Sequence, residues 1–254
     1  EIGSGLVGSE MCIRDRLHTD NFEEVSFGPI LYGAKKLGMH IHTRYEVSNN
    51  AGQDICDIVN NEGFDFLLVG SGISMSDSPD DIAATRYRTS FYNRYFKRFK
   101  APESWFYPGA LLKDKTKMFI ARSNCDVGVF INRNFVKATN TLVVISSEED
   151  LFLLDYTRTL LKATHGSVGI VAKMSTTTPG HDQILKELWD FVSSIPQTQL
   201  LPDKDLTPGL FNSYNFMLIG YNTWNDVSEH RKEALQKMPS TLILNKNKRS
   251  SSDN

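Results

Sequence analysis

At 254 residues, with 28 Lys and Arg against 30 Asp and Glu and a formal net charge of -2, the chain can bury a sizeable core and carries no global field to attract nucleic acid. Its 3 cysteines, Cys12, Cys56 and Cys125, lack the number and spacing of a disulfide framework or zinc site, which points to a reducing compartment. No apolar run approaches the roughly 20 residues that span a bilayer.

Residues 1–16 lack the basic start and long apolar core of a secretory signal. Their text, GSGLVGSEMCIRDR over 3–16, looks like translated adapter sequence. The stretch is therefore read as a non-native leader; a disordered native N-terminus is the alternative. Residues 21–37 repeat apolar side chains at Phe22, Val25, Phe27, Ile30, Leu31, Ala34 and Leu37, which predicts an amphipathic helix ending at Gly38. Alternation over 39–47 predicts a strand. Ile55, Ile58 and Val59 place a second helix over 51–61, stopped by Gly63. The stretch 64–69, apolar but for Asp65, predicts a buried parallel strand.

An insertion over 73–108 precedes a helix at 113–124 and a strand at 127–131. The next stretch opens with a strand at 141–145, a helix at 148–164 and a strand at 167–173. A loop over 176–180 leads to a helix at 181–194, with Ile184, Leu185, Leu188, Trp189 and Val192 expected on one face. A short strand at 197–201, a loop over 202–209, a strand at 216–220, a helix at 228–238 and a strand at 241–244 follow. Residues 246–254 read as a disordered polar tail. Such alternation implies parallel sheets covered by helices. Phe66-Leu-Leu-Val-Gly70 and Phe216-Met-Leu-Ile-Gly220 match closely enough to suggest an internal duplication.

The most specific text is 125–135, where Cys125, Val127, Gly128, Val129, Phe130, Ile131 and Arg133 fit the pattern C-x-V-G-I/V-L/F-V-D-R-G, and Asn132 and Asn134 depart from it. This resembles the segment joining two universal-stress-protein-like halves in the cytosolic C-terminal region of cation/proton exchangers of the monovalent cation:proton antiporter-2 family. The resemblance implies an α/β fold of two flavodoxin-like, universal-stress-protein-like parallel-sheet modules with helices on both faces. The first would cover 17–136, with its first two strands missing upstream, and the second 137–245.

It further implies a non-catalytic regulatory domain on the cytosolic face of a membrane, tuning potassium or sodium/proton exchange through contacts with a transmembrane exchanger domain. No cofactor is implied by that reading, and the partners would be that membrane domain, an anionic membrane surface or a second copy in a dimer, not nucleic acid. The alternative is a free-standing tandem universal stress protein that binds ATP.

Gly70-Ser71-Gly72, just past a strand, is the candidate nucleotide phosphate loop. ATP-binding universal stress proteins carry G-x-x-G there and, after nine intervening residues, G-S/T. Here Ile73 replaces the second glycine, and Asp77, Asp80 and Asp81 would repel phosphates. A plain turn glycine is the ordinary reading. Gly220-Tyr-Asn-Thr-Trp-Asn also lacks the second glycine.

Residues 86–100, RYRTSFYNRYFKRFK, interleave six basic residues with six aromatics. On a helix, Phe91 and Tyr95 fall on an aromatic stripe, with Arg94, Lys97, Arg98 and Lys100 largely elsewhere. The ordinary reading packs the rings on the core; the functional one places the segment, together with Arg133, against headgroups or a partner domain. His40 and His42 would share a strand face, without a further residue to complete a metal site. Cys125 reads as core. The acids Glu148, Glu149 and Asp150 cap a helix start. Asp155, His165 and nearby serines lack the G-x-S-x-G elbow of a hydrolase, so no enzyme is expected.

Overall fold

The computed structural model describes residues 5–8, 22–44, 50–70, 115–133, 135–174, 180–202, 206–230 and 237–247. Strands form where the apolar runs stand: β1 (Gly5–Gly8), β2 (Phe66–Gly70), β3 (Asp126–Ile131), β4 (Asn140–Ile145), β5 (Ser167–Ala172), β6 (Thr198–Pro202), β7 (Phe216–Gly220) and β8 (Ser240–Asn245). The helices among the described residues are α1 (Phe22–Lys36), α2 (Ala51–Glu62), α3 (Lys115–Arg122), α4 (Leu153–Thr164), α5 (His181–Ser194), α6 (Pro208–Phe211) and α7 (Tyr221–His230). A single 3-10 turn, Glu148–Asp150, precedes α4.

All eight strands belong to one sheet, in the order β1-β2-β3-β8-β7-β4-β5-β6. Every neighbouring pair is parallel except β3 and β8, which run antiparallel with Val129 opposite Ile243. The expectation of two all-parallel sheets is therefore corrected: one mixed sheet runs through both halves. Read outward from β3 and β8, each side presents its last strand, then the preceding one, then its first. Sliding one half past the other would break the β3–β8 ladder, whose buried amides have no alternative partner. A relative shift of two modules, natural for separate sheets, is costly here.

Strand alternation divides the core into two layers. Leu142, Val144, Met217, Ile219 and Ile243 face one cluster, which Cys56 and Val59 of α2, Phe119 of α3 and Trp224 and Val227 of α7 complete. Val143, Ile145, Phe216, Leu218 and Leu244 face the other, closed by Leu153 and Leu161 of α4 and Ile184, Leu188 and Phe191 of α5. Helices thus cover both faces. In α5 the buried row is 184, 188 and 191, and Trp189, expected on that row, is 55% exposed. Gly63 ends α2 in the left-handed conformation at φ 68°, its N–H donating to the Val59 carbonyl.

Several boundaries differ from the sequence reading. Residues 39–44 form no strand, and His40 and His42 are both exposed there. Helix α7 starts at Tyr221, directly after β7, rather than at 228. Residues 5–8 of the presumed leader pair with β2. Asn247, placed in the tail, is held by Asp126: its N–H donates to Asp126 Oδ1 at 2.8 Å.

Asp126 also joins the two halves. The Tyr156 hydroxyl of α4 donates to Asp126 Oδ2 at 2.9 Å, and the Tyr156 ring lies 5.9 Å from that of Phe66. Burial, then the Asp126 charge, push the Tyr156 phenol well above its ordinary value. The folded chain therefore holds this proton more tightly than the unfolded one. That stabilisation is complete below the unfolded value of about 10 and is lost as pH rises beyond it. Tyr156→Phe is expected to cost about 1 kcal/mol at neutral pH and to lose less stability than the parent on going to strongly alkaline pH. Urea melts on both sides of the unfolded tyrosine value check this.

Candidate functional site

In an open α/β sheet, ligands settle beyond the carboxyl ends of the strands where strand order reverses. In the second half this place lies between β4 and β7, because β4 has β5 on one side and β7 on the other. The chain leaves β4 through Ser146 and Ser147, and β7 ends at Gly220 before α7. Two successive backbone amides and the start of a helix make a ready cradle for an anion.

Asp150 occupies it. The side chain is 2% exposed, and its Oδ2 accepts from the Ser146 N–H at 2.9 Å, the Ser147 N–H at 3.2 Å and the Thr223 hydroxyl at 2.6 Å. The Ser146 and Ser147 hydroxyls reach the same oxygen at 3.2 and 3.4 Å. Ser146 Oγ also contacts Thr223 Oγ1. Gly220 lies against the other oxygen, and a Cβ at that position would collide with Asp150 Oδ1. The capping role expected for Asp150 holds through the Ser147 amide, and the side chain additionally ties the β4 loop to α7. Asn222 adds a second tie, its Nδ2 donating to Glu149 Oε2 at 2.8 Å.

A cleft of about 730 Å³ opens beside this point, lined by Glu148, Glu149, Asp155, Glu187 and Asp190 with Arg158 and Lys246. Its excess of carboxylates opposes a polyphosphate. Among the described residues no group of three or more His, Cys, Asp or Glu could hold a metal ion.

The corresponding place in the first half is different. Gly70 ends β2, is exposed, and a Cβ there would meet no described residue within 4 Å. Ser71 and Gly72 lie outside the described residues, as do Phe91, Arg94, Tyr95, Lys97, Arg98 and Lys100. Arg133 follows β3 and is half-buried; its N–H donates to Ser240 Oγ at 2.9 Å, and burial lowers its guanidinium pKa.

The remaining candidates are structural. Cys125 and Cys56 are buried, and burial pushes both thiols up, away from the reactive thiolate. Asp155 and His165 stand at opposite ends of α4, about 15 Å apart along its axis. Asp155 pairs with Arg158 at 3.1 Å, and His165 is the left-handed cap of the helix. They assemble no triad.

No family model matches the chain, and no curated protein matches it. Solved structures do resemble it. A universal stress protein from Archaeoglobus fulgidus DSM 4304 superposes with a TM-score of 0.50 at 11% identity, covering 95% of this chain and 84% of that one. The cytoplasmic domain of a prokaryotic cation chloride cotransporter superposes with a TM-score of 0.51 at 11% identity, covering 90% of this chain and 82% of that one. At this identity the likeness shows the fold: an α/β architecture of the universal-stress type, shared with a transporter's cytoplasmic domain. No helix among the described residues is long and apolar enough to cross a membrane.

Proposed function

We propose that the chain is a non-catalytic tandem universal-stress-type protein that binds one nucleotide, at the first-half site around Gly70, Ser71 and Gly72. The contrast between two glycines at matching sheet positions carries this reading. No described residue stands within 4 Å of where a Gly70 Cβ would lie, whereas Gly220 is pressed against the Asp150 carboxylate. The symmetric strand order about β3 and β8, and the matching runs 66–70 and 216–220, support a duplicated module. One copy keeps room for a phosphate and the other has filled it with its own anion.

Titrating purified protein with ATP in a calorimeter tests this. Saturable binding of one ATP per chain in the micromolar range is expected, abolished by Gly70→Asp, which sets a carboxylate where Asp150 stands in the other half. Silence at millimolar ATP, or two sites per chain, overturns it.

A second reading draws on the likeness to a transporter's cytoplasmic domain and on the 125–133 text. Here the chain is the regulatory region of a monovalent cation/proton exchanger of the antiporter-2 family, acting on its membrane domain through 86–100 and Arg133. A regulator works only by binding two transporter states unequally. Under this reading, deleting 86–100 from the full-length exchanger alters transport or membrane association, and ATP gives no heat.

A further inference from the structure

The linker between β3 and β4 builds a second, separate cavity. About 340 Å³ in volume, it is lined by Arg133, Val136, Lys137, Tyr214, Pro239 and Ser240, with Phe135 forming one wall. It sits where β3 ends and β8, β7 and β4 begin, on the β8 side of β3, whereas Gly70 lies on the other side. Neither the Asp150 cradle nor the acidic cleft contributes to it.

Three features make the cavity a prepared site. Its charge has one sign among the described residues: two cationic side chains line it and no carboxylate does. Its frame is fixed at several points. The Arg133 N–H is held by Ser240 Oγ and the Phe135 N–H by Asn132 Oδ1, each at 2.9 Å. The Phe135 ring packs 5.5 Å from Phe130 and 5.3 Å from Phe216. On the far side, Asn215 is anchored by accepting from the Asn140 N–H at 3.0 Å and donating to Thr139 Oγ1 at 2.6 Å. Finally, the pocket combines a half-buried guanidinium, an exposed ammonium and the Ser240 hydroxyl with an apolar wall of Phe135, Val136 and Pro239. A guanidinium fork whose backbone N–H is anchored to Ser240 suits a planar or tetrahedral oxyanion, and the volume falls at the small end of ligand sites.

We propose that this pocket binds a small anionic ligand through a phosphate or carboxylate group, with Arg133 and Lys137 as the charge partners and Phe135 and Val136 against the ligand's apolar part. The site stands whichever reading of the nucleotide site holds, since it shares no residue with it.

The test titrates intact protein with inorganic phosphate and with citrate, followed by NMR shifts of the 132–137 amides. Vesicles of phosphatidylglycerol are run in parallel by co-sedimentation. Saturable binding that weakens about tenfold or more in Arg133→Gln, several-fold in Lys137→Gln and not at all in Lys162→Gln, on the exposed surface of α4, is expected. Vesicle binding with the same variant pattern supports the pocket with a lipid headgroup as its anion source; binding confined to phosphate or citrate supports it with a soluble one. Because Arg133 is half-buried, the exposed Lys137 variant decides if Arg133→Gln fails to fold. Absence of binding to all three probes, or binding that survives Lys137→Gln unchanged, overturns the proposal.

Discussion

Asp150→Ala is expected to lower the unfolding free energy by about 3 kcal/mol, moving the thermal midpoint down by roughly 6–12 °C for a chain of this size. The reason is the asymmetry between making and breaking a buried polar cluster. Two backbone amides and the Thr223 hydroxyl converge on one carboxylate oxygen in a place that is 2% exposed. Removing the acceptor leaves these donors facing one another without water. Asp150→Asn keeps an acceptor oxygen but loses the charge that strengthens each bond, so a smaller loss of about 1–2 kcal/mol is expected. Urea melts of the two variants check both values. Equal stability of Asp150→Ala and the parent would show that the cradle hydrates freely and that the carboxylate does not hold the β4 loop to α7.

Legibility in the sequence follows the range of the forces involved. The strands 66–70 and 216–220 were readable because a continuous apolar run bounded by glycine has few other uses in an α/β chain. The expected strand over 39–47 rested on alternation alone. Met39 and Ile41 instead stand exposed, since β2 finds its described neighbours in β1 and β3. Trp189 lies away from the buried side of α5 because at 100° per residue it falls off the row through 184, 188 and 191. The start of α7 was missed because β7 passes into the helix with no capping residue or loop to mark the change.

The functional geometry was hidden for a different reason. Ser146-Ser-Glu-Glu-Asp150 announces a capped helix start, and that local role is correct. That the same carboxylate would meet Gly220 and Thr223 depends on β4 and β7 being neighbours, a pairing between residues more than 70 positions apart. The antiparallel meeting of β3 and β8 likewise has no local signature. Arg133 was legible only through the 125–135 pattern, and the companion Lys137 appears once Ser240, Pro239 and Tyr214 are brought beside it.

Gly220→Ala separates the carboxylate from every other reason for a glycine at the end of β7. Gly220 does not have positive φ, so its backbone conformation is open to alanine. The obstacle is steric: the new Cβ would collide with Asp150 Oδ1. The loop must yield or the carboxylate must leave its donors, which is expected to cost about 2–3 kcal/mol. Gly70→Ala, at the matching position of the first half, meets no described residue within 4 Å and should stay within about 0.5 kcal/mol of the parent. The decisive measurement is the double variant. With Asp150 already replaced by Ala the collision is gone, so adding Gly220→Ala should cost under about 1 kcal/mol, a coupling of roughly 1–2 kcal/mol between the two sites. Additive losses would instead mean that Gly220 is needed for close strand and helix approach. The phosphate cradle of the second half would then be lost even without its resident carboxylate, and the contrast with Gly70 would no longer favour a single nucleotide site.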